Sequence, residues 1–112
     1  INGKFTLGEN IGDLGGVNSA FDGLQIHLNK YGDIDDIDEF SQQQRFFISW
    51  ATIWRTKMRE EALRTRIMTD PHSPGMYRGY VPLQNIQAFY DAFNIQDSDN
   101  MYLPPENRIK IW

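Results

Sequence analysis

The sequence predicts a mainly α fold. Apolar residues recur at i, i+3 and i+4 spacing in successive segments, no proline interrupts those segments, and strand-like patterning is confined to one short stretch. Leu, Ile, Val and Phe make up about a quarter of the 112 residues, above the roughly 20% below which chains tend to stay disordered. A 13.1 kDa chain should expose roughly 6,400 Å² when folded, against about 19,000 Å² unfolded, enough for one modest core and a single unit.

The first helix is expected from about Asn10 to Lys30, where Leu14, Val17, Phe21, Leu24 and Leu28 share a face and Gly32 follows as a stop signal. Gly15 and Gly16 inside it cost about 1 kcal/mol each relative to Ala, which predicts close approach of another backbone. Asp33 to Glu39 reads as an acidic link. The second helix is expected from about Glu39 to Lys57, burying Phe40, Phe47, Trp50, Ala51 and Trp54. A third covers about Glu60 to Met68, with Leu63 and Ile67 inward, and Asp70-Pro71 ends it because the residue before proline avoids helical angles. Pro71 to Val81 reads as a loop, with a short strand candidate at Tyr77 to Val81. Pro82 suits a helix start, and Leu83, Ile86, Phe89, Tyr90 and Phe93 form the stripe that follows. The polar tail from Gln96 ends in Ile109, Ile111 and Trp112, predicted to dock on the body.

Composition excludes several classes. The net charge of −4 argues against nucleic-acid binding, and no apolar run is long enough to span a membrane. The absence of Cys excludes disulfides, thiolate nucleophiles and cysteine zinc fingers. The start Ile1-Asn2-Gly3 lacks a Met and a signal-peptide pattern, which suggests a processed chain or a fragment.

Two constellations could carry chemistry. In Gly8-Glu9-Asn10-Ile11-Gly12-Asp13, expected to open a helix, Glu9 and Asp13 stand one turn apart on one face. A carboxylate can bind zinc directly, and a second one a turn away can hold the far nitrogen of a zinc-bound histidine. The plainer reading is that acids favour a first helical turn because of the helix dipole. In Asp70-Pro71-His72-Ser73-Pro74-Gly75-Met76-Tyr77-Arg78, a proline-braced loop could aim His72 and Arg78 at one oxyanion, with Asp70 orienting either. The plainer reading is a solvated loop. Ser73 has no nucleophile elbow around it. Asp33 to Asp38 fails the calcium-loop pattern, because Ile37 takes a ligand position and Asp38 the required glycine. The basic stretch Arg55 to Arg66 is interrupted by Glu60 and Glu61 and reads as helix-surface pairing; the glycines at 8, 12, 15 and 16 lack the Gly-Lys-Ser/Thr of a phosphate loop; and His27 is a lone histidine on a packing helix.

Taken together, the run from Gly8 to Gly16 resembles the third-ligand helix of neprilysin-like zinc metallopeptidases. His72 to Arg78, followed by Pro82-Leu83-Gln84-Asn85, resembles the same family's substrate-binding loop. Ala92-Phe93-Asn94 and Lys110-Ile111-Trp112 fall in family order, so the resemblance spans about Gly8 to Trp112. It implies the helical C-terminal half of a thermolysin-like metallopeptidase catalytic domain. Glu9 would be the third zinc ligand and Asp13 the carboxylate that orients a zinc-bound histidine. His72 would stabilise the tetrahedral transition state, and Arg78 would hydrogen-bond a substrate carbonyl just beyond the scissile bond.

Departures from the family pattern carry expectations of their own. Ile109 stands where mammalian members carry a disulfide cysteine, which points to a bacterial member, and Gly79-Tyr80-Val81 replaces the usual Val-Asn-Gly. No His-Glu-x-x-His is present; His27 and His72 are the only histidines. The resemblance therefore implies one fragment, residues 1–112, of a larger peptidase, inactive alone and not expected to bind zinc tightly. Its implied partners are peptide substrates and the remainder of the same domain, and exposed apolar surface predicts self-association. Bacterial relatives imply a cell-envelope, periplasmic or secreted location. The competing function is a non-catalytic helical interaction domain of peptidase descent.

Overall fold

Asn2 sets the start of the longest element. Its side chain accepts from the backbone N–H groups of Lys4 and Phe5 at 3.1 and 3.2 Å, which satisfies donors that the first turn leaves orphaned. The computed structural model describes residues 1–111. In it α1 runs from Gly3 to Tyr31 and ends at Gly32, whose φ of 85° closes the last turn. The helix thus begins seven residues before the expected Asn10. Glycines at 3, 8 and 12 hide it from a propensity reading, but the cap and the continuing hydrogen-bond ladder override them.

The second helix, α2, spans Gln42–Ile53 and is shorter at both ends than expected. Ser41 and Gln44 form a reciprocal capping box that fixes its first turn. Phe40 therefore precedes the helix and is exposed; its backbone pairs with Ile37 across the tight turn of Asp38 and Glu39. Beyond Ile53 the chain leaves the helix as Thr56 N donates to the Trp54 carbonyl at 2.8 Å. Helix α3, Glu60–Thr69, matches its expected range and carries the Glu60–Arg64 surface pair. Leu63 and Ile67 are only half-buried, so α3 contributes nothing to the core.

The proline-rich segment holds a helix where a strand was expected. Pro74 accepts from Tyr77 N at 2.9 Å and Arg78 N at 3.2 Å, launching α4 over Gly75–Tyr80. Proline at the cap loses no helical donor, so it starts a helix rather than breaking one. The Pro82 start is a single 3₁₀ turn, Leu83–Asn85; Ile86 is extended, and α5 follows at Gln87–Phe93. It ends on Asn94 in the left-handed region. No strand is present among the described residues.

The core lies where α1, α2, the 3₁₀ turn and α5 meet: Leu14, Val17, Phe21, Phe47, Leu83, Ile86, Phe89 and Tyr90. Phe47 is 1% exposed. It stacks on Phe21 at 5.2 Å and meets Phe89 edge-on at 5.5 Å. Burial of such a ring contributes about 1.5–3 kcal/mol. The tail docks through Met101 and Tyr102, which pack against the core, and through polar contacts. Ile109 N donates to Asn85 Oδ1 at 2.7 Å, and Arg108 lies 3.8 Å over the Tyr90 ring. Ile109 and Ile111 themselves stay exposed, contrary to an apolar docking, and Trp112 lies outside the described residues.

Surface exceeds the expectation: 8106 Å² is exposed, against roughly 6,400 Å² for a compact chain of this mass. The radius of gyration is 15.6 Å, where about 13 Å is typical. On the N-terminal part of α1, Phe5, Leu7 and Ile11 are exposed. Gly15 is buried, whereas a Cβ at Gly16 would meet nothing within 4 Å, so within this chain no backbone closes on that position. No described helix is long and apolar enough to cross a membrane.

Candidate functional site

Because α1 starts at Gly3, Glu9 and Asp13 sit in its interior and not in an opening turn. The dipole effect fades beyond the first turn, so it does not explain this pair of acids. The segment after α3 lies along the same face of α1. His72 Nε2 is 3.1 Å from Glu9 Oε2. Ser73 Oγ donates to Asn10 Oδ1 at 2.7 Å. Arg78 donates from Nε and Nη2 to the two oxygens of Asp13, each at 2.8 Å. Residues separated by more than sixty positions are thus in register on one helix face.

Each contact has a local cause. Asp70 Oδ1 accepts from the His72 backbone N–H at 2.9 Å and lies 2.7 Å from His72 Nδ1, so one carboxylate fixes both the turn and the ring. The His72 backbone N–H, and then the ring itself, hold the Asp70 carboxyl below its ordinary value of 3.8. A depressed carboxyl value stabilises the turn above the unfolded value, and that contribution is lost only as pH falls through the lower folded one. With Nδ1 held by Asp70, Nε2 faces Glu9. The sequence left open whether Asp70 orients His72 or Arg78; it holds His72.

Arg78 stands on α4, not on a loop, and its partner is Asp13. These two side chains are 17% and 11% exposed. Asp13's hydrogen bonds raise the pKa of the Arg78 guanidinium above its ordinary value. The Trp54 ring covers the guanidinium at 3.9 Å, and Trp50 Nε1 donates to the Arg78 carbonyl at 3.0 Å. A cleft of about 310 Å³ opens beside this pair, lined by Leu7, Ile11, Asp13, Tyr77, Arg78 and Ile109 among others.

Sequence reasoning missed Asn10 and the latch role of Ser73. Asn10 also donates to Thr6 Oγ1 at 3.3 Å, and buried Thr6 donates to the Asn2 carbonyl. Asn10 stood visibly between the two acids, but nothing local signals a partner so far along the chain. Trp50 and Trp54 were legible only as an apolar face. His27 is exposed and packs against Tyr31. Among the described residues no three His, Asp or Glu side chains are grouped to hold a metal. Glu9, 50% exposed, offers one carboxylate.

An all-helical segment that sets two acids under a histidine and an arginine is the arrangement the sequence resemblance assigns to part of a metallopeptidase. Comparisons with known proteins show the family. The sequence profile of peptidase family M13 matches residues 1–109. A neutral endopeptidase of Lactococcus lactis subsp. cremoris is 39% identical over 99% of this chain and 16% of its own length. Neprilysin of Mus musculus is 37% identical over the whole chain and 15% of its own length. The crystal structure of the Mycobacterium tuberculosis zinc metalloprotease Zmp1 in complex with an inhibitor superposes with a TM-score of 0.94 at 43% identity, covering 100% of this chain and 17% of that one. The chain belongs to peptidase family M13, the neprilysin family. It spans about a sixth of the length of the relatives it matches.

Proposed function

We propose that the full-length protein is a zinc-dependent peptidase, and that this chain supplies its third metal ligand and the contacts to substrate and transition state. The observation that carries the reading is the seam itself: Glu9 and Asp13 on α1 face His72 and Arg78 across distances of 3.1 and 2.8 Å.

The residues present fit the metal. Glu9 is an oxygen donor of the kind zinc takes, on a rigid helix and half open to solvent. Asp13 gives both oxygens to Arg78, yet a carboxylate has about four lone-pair sites, so it can also accept from a histidine contributed by the rest of the protein. Zinc, when bound, polarises the scissile carbonyl and activates water. His72, its ring oriented by Asp70 at Nδ1, donates from Nε2 in its doubly protonated form toward the oxygen on which negative charge develops. Arg78 has five N–H donors, of which Asp13 takes two, and the remainder serve a peptide carbonyl. The general base lies elsewhere in the protein.

A second reading draws on the exposed Phe5, Leu7 and Ile11 of α1: a helical interaction domain of peptidase descent, with no chemistry. Zinc content separates the two. The full-length protein is expected to hold about one zinc per chain at a three-ligand catalytic site, to lose peptide cleavage on chelation, and to regain it when zinc is restored. Cleavage indifferent to chelator would refute the metal's role; absence of both zinc and cleavage would favour the interaction domain.

A further inference from the structure

Asn2, Thr6 and Asn10 stand one turn apart along a single edge of α1. Their hydrogen bonds run in one direction. The Thr6 hydroxyl donates to the Asn2 carbonyl at 3.1 Å, so toward Asn10 it offers only lone pairs. Asn10 therefore turns Nδ2 to Thr6, at 3.3 Å, and presents Oδ1 on its other side. An amide oxygen only accepts, and Ser73 Oγ donates to it at 2.7 Å. Thr6 is buried, which shields this end of the ladder from water.

Ser73 directly follows His72. The segment that carries both is stiffened by Pro71 and Pro74, and Asp70 holds the His72 turn. Neither device fixes the segment against α1. Among the described residues two polar contacts do so: His72 Nε2 with Glu9, and Ser73 Oγ with Asn10. Glu9 serves the metal on the reading above, so the Ser73–Asn10 bond is the contact whose partners have no other task.

We infer that Asn10 and Ser73 are positioning residues that keep His72 in register with Glu9, with Thr6 setting the orientation of the Asn10 amide. The inference rests on the peptidase reading above. Both residues act through His72, without a substrate contact of their own. Their loss frees the His72 ring to leave a place that matters only once charge develops, so it appears in kcat and not in KM.

The experiment uses the full-length protein with Asn10→Ala, Ser73→Ala, Ser73→Thr and the pair Asn10→Ala with Ser73→Ala; Asn10→Ala is also built on His72→Ala. Zinc content and melting temperature serve as folding controls. In Asn10→Ala or Ser73→Ala, kcat is expected to fall about tenfold, roughly one hydrogen bond's worth of ordering, with KM moved less than about twofold. The pair should lose no more than either change alone. Ser73→Thr keeps the hydroxyl and should recover most of the rate, and on His72→Ala the Asn10 change should add nothing. A loss confined to KM, additive losses in the pair, or an equal further loss without His72 would overturn the inference. Should Asn10→Ala not fold, the Ser73 variants decide: no loss in Ser73→Ala, or equal loss in Ser73→Ala and Ser73→Thr, refutes the role. Deuterium uptake needs no activity. The segment 70–74 is expected to exchange faster in Asn10→Ala and in Ser73→Ala, and unchanged uptake in both would refute the latch. If the wild type cleaves no peptide, the peptidase reading fails by itself, while the uptake result still judges the latch.

Discussion

Glu9→Gln in the full-length protein should strip the bound zinc and abolish peptide cleavage. The substitution keeps size and shape but removes the charge that would make the side chain the proposed zinc ligand. Its structural cost is small, because Glu9 is half exposed and, among the described residues, its polar partner on another segment is His72 Nε2. A catalytic zinc contributes several kcal/mol of transition-state stabilisation, and about 4 kcal/mol corresponds to three decades in rate. Metal analysis and turnover should therefore fall together while the melting profile of the metal-free protein stays put. Normal zinc content with normal cleavage would count decisively against the assignment.

His72→Ala should act differently. On the proposed role its Nε2 hydrogen would meet an oxygen that gains charge only during reaction, so kcat should fall by about 10²–10³ and KM should move little. The ring is pre-aimed by Asp70, which stays ionised well into acid and so keeps hold of Nδ1 across the neutral range. Steady-state kinetics at fixed zinc occupancy decide the matter, and a change confined to KM would refute the role. The contrast with Arg78, whose loss on the proposed role should appear in KM, makes the kinetic split itself informative.

The parts of this molecule legible in the sequence are those set by local physics. Leu14, Val17 and Phe21 at helical spacing, Phe89 and Tyr90 after Pro82, and the Asp70-Pro71 stop all describe real packing or real boundaries. What escaped was governed by partners far along the chain. The stretch Tyr77 to Val81 looks extended because of its aromatic and β-branched residues, but Pro74 caps a helix there and the Arg78–Asp13 pair secures it. The first two turns of α1 carry scattered glycines and depend on the Asn2 cap. At the site, the residue types were readable from spacing alone: two acids one turn apart, and a histidine and arginine on a proline-braced segment. Their pairing was not, because hydrogen bonds such as Ser73–Asn10 and Arg78–Asp13 join segments whose proximity only the folded chain decides.

The most direct measurement is a crystal structure of the full-length protein with data collected across the zinc absorption edge. An anomalous peak within bonding distance of a Glu9 carboxylate oxygen, with His72 and Arg78 bordering the same cavity, is the predicted result. A zinc peak remote from Glu9, or a Glu9 carboxylate packed against protein with no metal in reach, would contradict it.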